Sequence, residues 1–102
     1  MKTFDYIQDA GHGWVKVPVY LLAQLGIYNE ISSYSYYLNG FAYLEEDCDT
    51  AVFFKAYRAA FGTDPKLKDK LCRVRQSKVR SYYQYSPALV KNVFFPAERP
   101  AC

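Results

Sequence analysis

Apolar and polar side chains alternate on both sides of Asn39-Gly40, from Ile31 to Asp47, and this stretch predicts a β-hairpin. Asn and Gly suit the two positive-φ positions of a type I′ turn, so the turn sets the register. Leu38 is expected opposite Phe41, Tyr36 opposite Tyr43 and Tyr34 opposite Glu45 on one face, with Tyr37 opposite Ala42 and Ser35 opposite Leu44 on the other. The first face is aromatic. The second carries Ser33, Ser35 and Ala42, small enough for a helix to approach, although either face could take one.

Upstream, Phe4 and Tyr6 alternate with polar residues, which predicts an edge strand or ordered arm before the loop around Gly11, His12 and Gly13. Trp14 to Val17 reads as a strand, with Val15 and Val17 on one face and Trp14 and Lys16 on the other. Pro18 ends it and opens a short helix through Val19, Leu22 and Leu25, capped at Gly26. Downstream, Phe53, Ala56, Tyr57, Ala60 and Phe61 fall at helical spacing and predict one buried face of a helix over Thr50 to Phe61. Asp47 or Asp49 is placed to cap that helix, Gly62 to end it, and Pro65 to prevent its resumption.

The pattern from Lys66 to Arg80 fits a helix through Leu67, Leu71 and Val74, or a strand through alternating Cys72 and Val74; a strand over part of it would complete the sheet. The expected fold is therefore α+β: a small, mainly antiparallel sheet of three or four strands built on the Asn39-Gly40 hairpin, with two helices packed on one face. Residues 1–85 form the single domain. The tail, 86–102, holds Leu89, Val90, Val93, Phe94 and Phe95, which are expected to dock on the body or on a partner.

Composition adds detail to this picture. At 102 residues the chain suffices for one core, and 11 Tyr with 7 Phe put much of its apolar area on rings. The net charge of +3 is uneven: residues 1–63 carry four basic against seven acidic side chains, and residues 64–80 carry seven against two. Cys48, Cys72 and Cys102 are odd in number and lack CxxC spacing, which argues against a disulfide framework or a zinc site and suits core packing or an incidental thiol. With no signal-peptide pattern and no span of 18 apolar residues, a cytoplasmic, non-membrane protein is the expectation.

HGWVKVP at His12 to Pro18, LGI at Leu25 to Ile27, ISSYSY at Ile31 to Tyr36, YLEED at Tyr43 to Asp47 and RSY at Arg80 to Tyr82 together resemble a pattern in small, mostly uncharacterised proteins of bacteriophages, plasmids and integrative elements. The resemblance spans roughly residues 9–85. It implies a mobile-element accessory protein, and by analogy with the gene content of such elements an anti-CRISPR-like inhibitor of host defence. No activity or cofactor comes with it.

Three function classes follow. The first is a non-enzymatic protein-binding accessory factor, an inhibitor of a host protein or ribonucleoprotein defence complex, with Tyr34, Tyr36 and Tyr43 as anchors if the aromatic face is open and Tyr82 or Tyr83 if it is covered. The second is a nucleic-acid binder using Lys66, Lys68, Lys70, Arg73, Arg75, Lys78 and Arg80 beside Tyr82 and Tyr83, because cations neutralise phosphates and rings stack on bases. The bland alternative is a lysine-rich edge strand that resists edge-to-edge pairing. The third is a small nuclease-like enzyme using His12 beside Trp14, which requires an orienting carboxylate or a nucleophile within reach. Glu45 and Glu46 point to opposite faces of a strand, so the acidic run Glu45, Glu46, Asp47 and Asp49 is expected to serve the helix start rather than a metal, or to imitate phosphates in a basic groove. No cofactor is implied.

Overall fold

The computed structural model describes residues 3–71 and 77–89. Among them, six strands form one mixed sheet: β1 (Thr3–Gln8), β2 (Gly13–Pro18), β3 (Tyr36–Leu38), β4 (Phe41–Glu45), β5 (Lys66–Leu71) and β6 (Tyr83–Gln84), in the order β5-β1-β2-β4-β3-β6. Neighbours pair antiparallel except β1 with β5, which is parallel. The helices are α1 (Val19–Gln24) and α2 (Thr50–Phe61), with 3-10 turns at Tyr28–Glu30 and Lys78–Ser81 and helical residues at 87–89.

The α+β class is as the sequence predicts, but the sheet is larger than three or four strands. Of the six, β6 alone carries no local signal; the sequence predicts β1 as an edge strand or arm and β5 as one of two readings of its segment. β1 is an interior strand rather than an edge, because the chain returns after α2 to lay β5 beside it, and β6 adds two residues beyond β3.

The hairpin turn is built by Asn39 at φ 49° and Gly40 at φ 86°, and the pairs Tyr36–Tyr43, Tyr37–Ala42 and Leu38–Phe41 form in the predicted register. The ladder stops there. Ser35 is fully buried and places its hydroxyl on the Glu45 backbone N–H at 2.9 Å, so residues 33–35 turn away and the Tyr34–Glu45 and Ser35–Leu44 pairs do not form.

Phe4, Val15, Val17, Ala42 and Leu44 share one core with Val19, Leu21 and Leu22 of α1 and with Phe53 and Tyr57 of α2. Both helices thus cover the small face of the hairpin. Phe4, Phe53 and Tyr57 meet edge to face at 5.3–5.8 Å, and each fully buried side chain of this size is worth roughly 1.5–3 kcal/mol. The predicted helix face is only half used: Ala60 and Phe61 are exposed because α2 outruns its support, while Gly62 at φ 76° caps it as expected. Asp49 occupies the N-cap position without capping, since its carboxylate points inward to serines.

The opposite, aromatic face is also covered. Trp14 and Tyr43 are buried with Val79, and Ile7, Tyr36 and Tyr82 pack around them. The segment 77–82 therefore lies across the face that the hairpin left aromatic. Tyr85, also buried, donates its hydroxyl to the Tyr28 carbonyl and its N–H to Ser35 at 2.8 Å, tying the end of the domain to the base of the hairpin. Of the 86–102 tail, residues 90–102 lie outside the described residues, as do Cys72, Arg73 and Arg75. Cys48 is exposed rather than a core residue.

Gly13 illustrates how tightly β1 and β2 approach. A Cβ there would sit 2.7 Å from the Tyr6 ring and hydroxyl. Gly13→Ala is expected to displace Tyr6, break its 2.7 Å hydrogen bond to Glu46, and cost about 1–3 kcal/mol in denaturant unfolding. An unchanged midpoint would refute this packing.

Candidate functional site: an aromatic and acidic cleft

Four distant segments converge beside the end of β2. Trp14 comes from β2, His12 from the loop before it, Glu45 from the end of β4, Asp47 and Cys48 from the turn before α2, Tyr34 and Tyr36 from the bend into β3, and Arg80 from the covering segment. Together they line an open cleft of about 360 Å³.

Its floor is held by Asp9. The Asp9 side chain is fully buried and accepts hydrogen bonds from Arg80 Nε at 2.9 Å and Arg80 Nη2 at 3.1 Å. It also accepts the backbone N–H groups of Ser77 at 2.8 Å, Gly11 at 2.9 Å and His12 at 3.0 Å. The Arg80 bond, reinforced by the three backbone donors, holds the carboxyl well below the usual carboxylate range despite its burial. Arg80 is raised in turn, chiefly by the same bond, and its guanidinium lies 5.3 Å from the Trp14 ring centre. One carboxylate thus fixes the His12 loop, the covering segment and the position of Arg80.

The acidic wall is equally organised. Glu45 Oε1 accepts the N–H groups of Asp47 at 3.0 Å and Cys48 at 3.1 Å, closing the turn after β4. Glu46 Oε2 accepts the Tyr6 hydroxyl, whose own ionisation burial and Glu46 push up to about 12. The other oxygens face His12: Glu45 Oε2 lies 3.8 Å from His12 Nδ1 and Glu46 Oε1 lies 3.9 Å from it. Glu45 and Glu46 do not diverge as an uninterrupted strand would require, because the chain turns between them. Their ligand atoms, with those of His12 and Asp47, all fall within 4.8 Å of one another, a donor set that a divalent cation could use. Hydrogen bonding to Glu45, with burial and the neighbouring carboxylates, raises the Cys48 thiol, so it is a poor nucleophile.

The predicted site residues divide accordingly. His12, Trp14, Tyr34, Tyr36 and Arg80 meet in the cleft. Tyr43 is buried beneath Tyr82, with ring centres 4.9 Å apart, and is not an open anchor, whereas Tyr82 is half-buried and Tyr34 is 69% exposed. Burial and Tyr82 push the Tyr43 phenol up to about 12.

Of the basic stretch, Arg73 and Arg75 lie outside the described residues, and Lys66, Lys68 and Lys70 occupy alternate positions on one face of β5. Lys66, Lys68 and Lys70 are exposed on β5 in register with Thr3, Asp5 and Ile7, Lys78 is exposed in the covering segment, and Arg80 is spent on Asp9. Tyr83 is exposed on β6, five strand spacings from β5, roughly 24 Å at about 4.8 Å per strand. Glu45 and Asp47 were legible only as an acidic run; what makes them site residues is the return of Tyr34 and Arg80 beside them.

No helix among the described residues is long and apolar enough to cross a membrane. No family model matches the chain, and no similar curated protein or solved structure was found. The fold and the cleft define a small mixed-sheet α+β protein with one aromatic and acidic concavity, and the functional argument rests on that concavity.

Proposed function

We propose that this chain is a non-enzymatic protein-binding accessory factor of a mobile genetic element, an inhibitor of a host defence nuclease complex in the anti-CRISPR manner, and that the cleft is its contact surface. The observation that carries this reading is convergence. Four of the sequence segments on which the phage and plasmid resemblance rests, HGW, SSYSY, YLEED and RSY, contribute His12 and Trp14, Tyr34 and Tyr36, Glu45 and Asp47, and Arg80 to one cleft. The exposed Tyr34 shares this cleft with Tyr36, whose ring meets the buried Trp14 at 6.3 Å, and large aromatic side chains of this kind concentrate binding energy. The cleft's carboxylates disfavour nucleic acid there, and the lysine row of β5 does not line this cleft.

The test is capture by the tagged full chain from bacterial cells, with and without nuclease treatment. A stoichiometric protein partner is expected to survive nuclease and to bind about thirtyfold more weakly to Tyr34→Ala, the loss of one anchor of roughly 2 kcal/mol. A partner released by nuclease, with affinity that falls steeply with salt and flattens when Lys66, Lys68 or Lys70 is removed, would establish the nucleic-acid reading instead.

A second reading is favoured by one distance. The carboxylates that a catalytic His12 would need lie 3.8 Å and 3.9 Å from its Nδ1, closer than sequence suggested, which supports a small nuclease-like enzyme. Full retention of the cellular phenotype by His12→Ala removes it.

A further inference from the structure

The cleft's chemistry also constrains what a partner places in it. We propose that it receives an arginine side chain, the guanidinium lying against Tyr34 and Tyr36 and pairing with Asp47, with the buried charge of Glu45 behind it; this rests on the protein-binding reading and names its ligand chemistry. Charge is the first argument. Glu45 and Asp47 line the cleft and Glu46 lies within 4.8 Å of them, while Arg80, the cation already inside, is neutralised by Asp9. His12 lies beyond hydrogen-bond distance of both Glu45 and Glu46, and the Asp47 carboxylate has no hydrogen-bond or ion-pair partner among the described residues. The Asp47 carboxylate is thus open to an external donor, while Glu45, held by the Asp47 and Cys48 N–H groups, fixes a second negative charge behind it.

The walls select among cations. Trp14 is buried, Tyr36 half-buried and Tyr34 largely exposed, and all three line the same cleft as Glu45 and Asp47. A guanidinium is planar, weakly hydrated and able to stack on a ring while offering paired N–H groups to a carboxylate. A lysine ammonium is strongly hydrated and does not stack. The same cleft already holds one guanidinium over an aromatic ring, that of Arg80 over Trp14 at 5.3 Å. Arginine is also the residue that defence nucleases would present wherever they grip phosphates, so the proposed occupant suits the proposed partner.

The probe is acetyl-Gly-Arg-Gly-amide, titrated into the full chain and followed by amide chemical shifts, beside the lysine and citrulline peptides. Saturable binding on the order of millimolar is expected, with shifts confined to residues around Tyr34, Tyr36 and Asp47. The lysine peptide should bind at least about fivefold more weakly and the uncharged citrulline peptide not measurably. Tyr34→Ala and Asp47→Asn, both at exposed side chains, should each weaken the arginine peptide about tenfold while melting as the parent does. Equal binding of lysine and arginine, or indifference to both variants, would overturn the assignment. So would Mn²⁺ alone broadening His12 and Glu46 while the peptide produces no shift, which would make the cluster a metal site. If the peptide fails yet the captured partner still requires Tyr34, the arginine assignment falls and the protein-binding reading stands.

Discussion

Replacing Asp9 by alanine is expected to cost about 3 kcal/mol of unfolding free energy, enough to lower the melting temperature by roughly 15 °C in a domain of this size. The loss comes from what is left behind. Three backbone N–H groups, of Gly11, His12 and Ser77, lose their acceptor, and the Arg80 guanidinium loses the charge that holds it over Trp14. Arg80 is partly exposed and can turn to water, which keeps the cost below that of a wholly buried orphaned charge. Val79 and Tyr82 ride on the same segment, so the cover over Trp14 and Tyr43 should loosen with it. Chemical denaturation measures the loss, and a change under 1 kcal/mol would contradict the geometry.

The same carboxylate makes stability depend on acid. Its folded-state affinity for a proton is far below that of the unfolded chain, so folding is favoured by the ionised form. The contribution is complete above about pH 5, where the unfolded Asp9 is also fully ionised, and it declines as the pH falls through about 4 and below. Asp9→Asn keeps the shape and removes the charge. It should be less stable than the parent at neutral pH, and the gap should narrow as the pH falls from about 4 towards 2. A gap independent of pH would mean that the carboxylate is not ionised in the fold.

How much of this was legible depended on sequence distance. Asn39-Gly40 announces its turn within two residues, and Thr50 to Gly62 announces a helix within thirteen, because backbone φ and helical periodicity are local properties. Beside them, β5 pairs with β1 across the whole domain, and neither strand carries a mark of its partner. Asp9 and Arg80 are 71 residues apart, each unremarkable alone. Periodicity also overreached. It extended the hairpin back to Ile31 and the buried helix face on to Phe61, since it describes what a segment can bury and not how far its neighbour reaches. The cleft was therefore visible only as fragments: His12 and Trp14 in one place, Tyr34 and Tyr36 in another, Arg80 in a third. What brought them together was polar satisfaction inside the protein, which hydropathy does not record.

Asp49 is the second such node, and Asp49→Ala should cost about 2–4 kcal/mol. Its buried carboxylate accepts the Ser32 N–H at 3.0 Å, the Ser32 hydroxyl at 2.7 Å and the Ser35 hydroxyl, and Ser35 in turn accepts the Glu45 N–H. Alanine would leave one backbone donor and two hydroxyl protons without acceptors inside the fold. Asparagine tests charge against shape. Both hydroxyls donate to Oδ2 and the Ser32 N–H to Oδ1, so an amide N–H₂ strands both hydroxyl protons in one orientation and the backbone N–H in the other, and Asp49→Asn should recover only part of the loss. Ser32→Ala removes two side-chain bonds, one to Asp49 and one from the Tyr34 N–H, and should cost about 1–2 kcal/mol. The network also sets the bend that carries Tyr34, whose N–H donates to the Ser32 hydroxyl at 3.2 Å. Asp49→Ala should therefore speed amide exchange from Ser32 to Tyr36 and weaken partner capture, although Asp49 does not line the cleft. An Asp49→Ala protein as stable as Ser32→Ala, with unchanged exchange at Tyr34, would separate the network from the site.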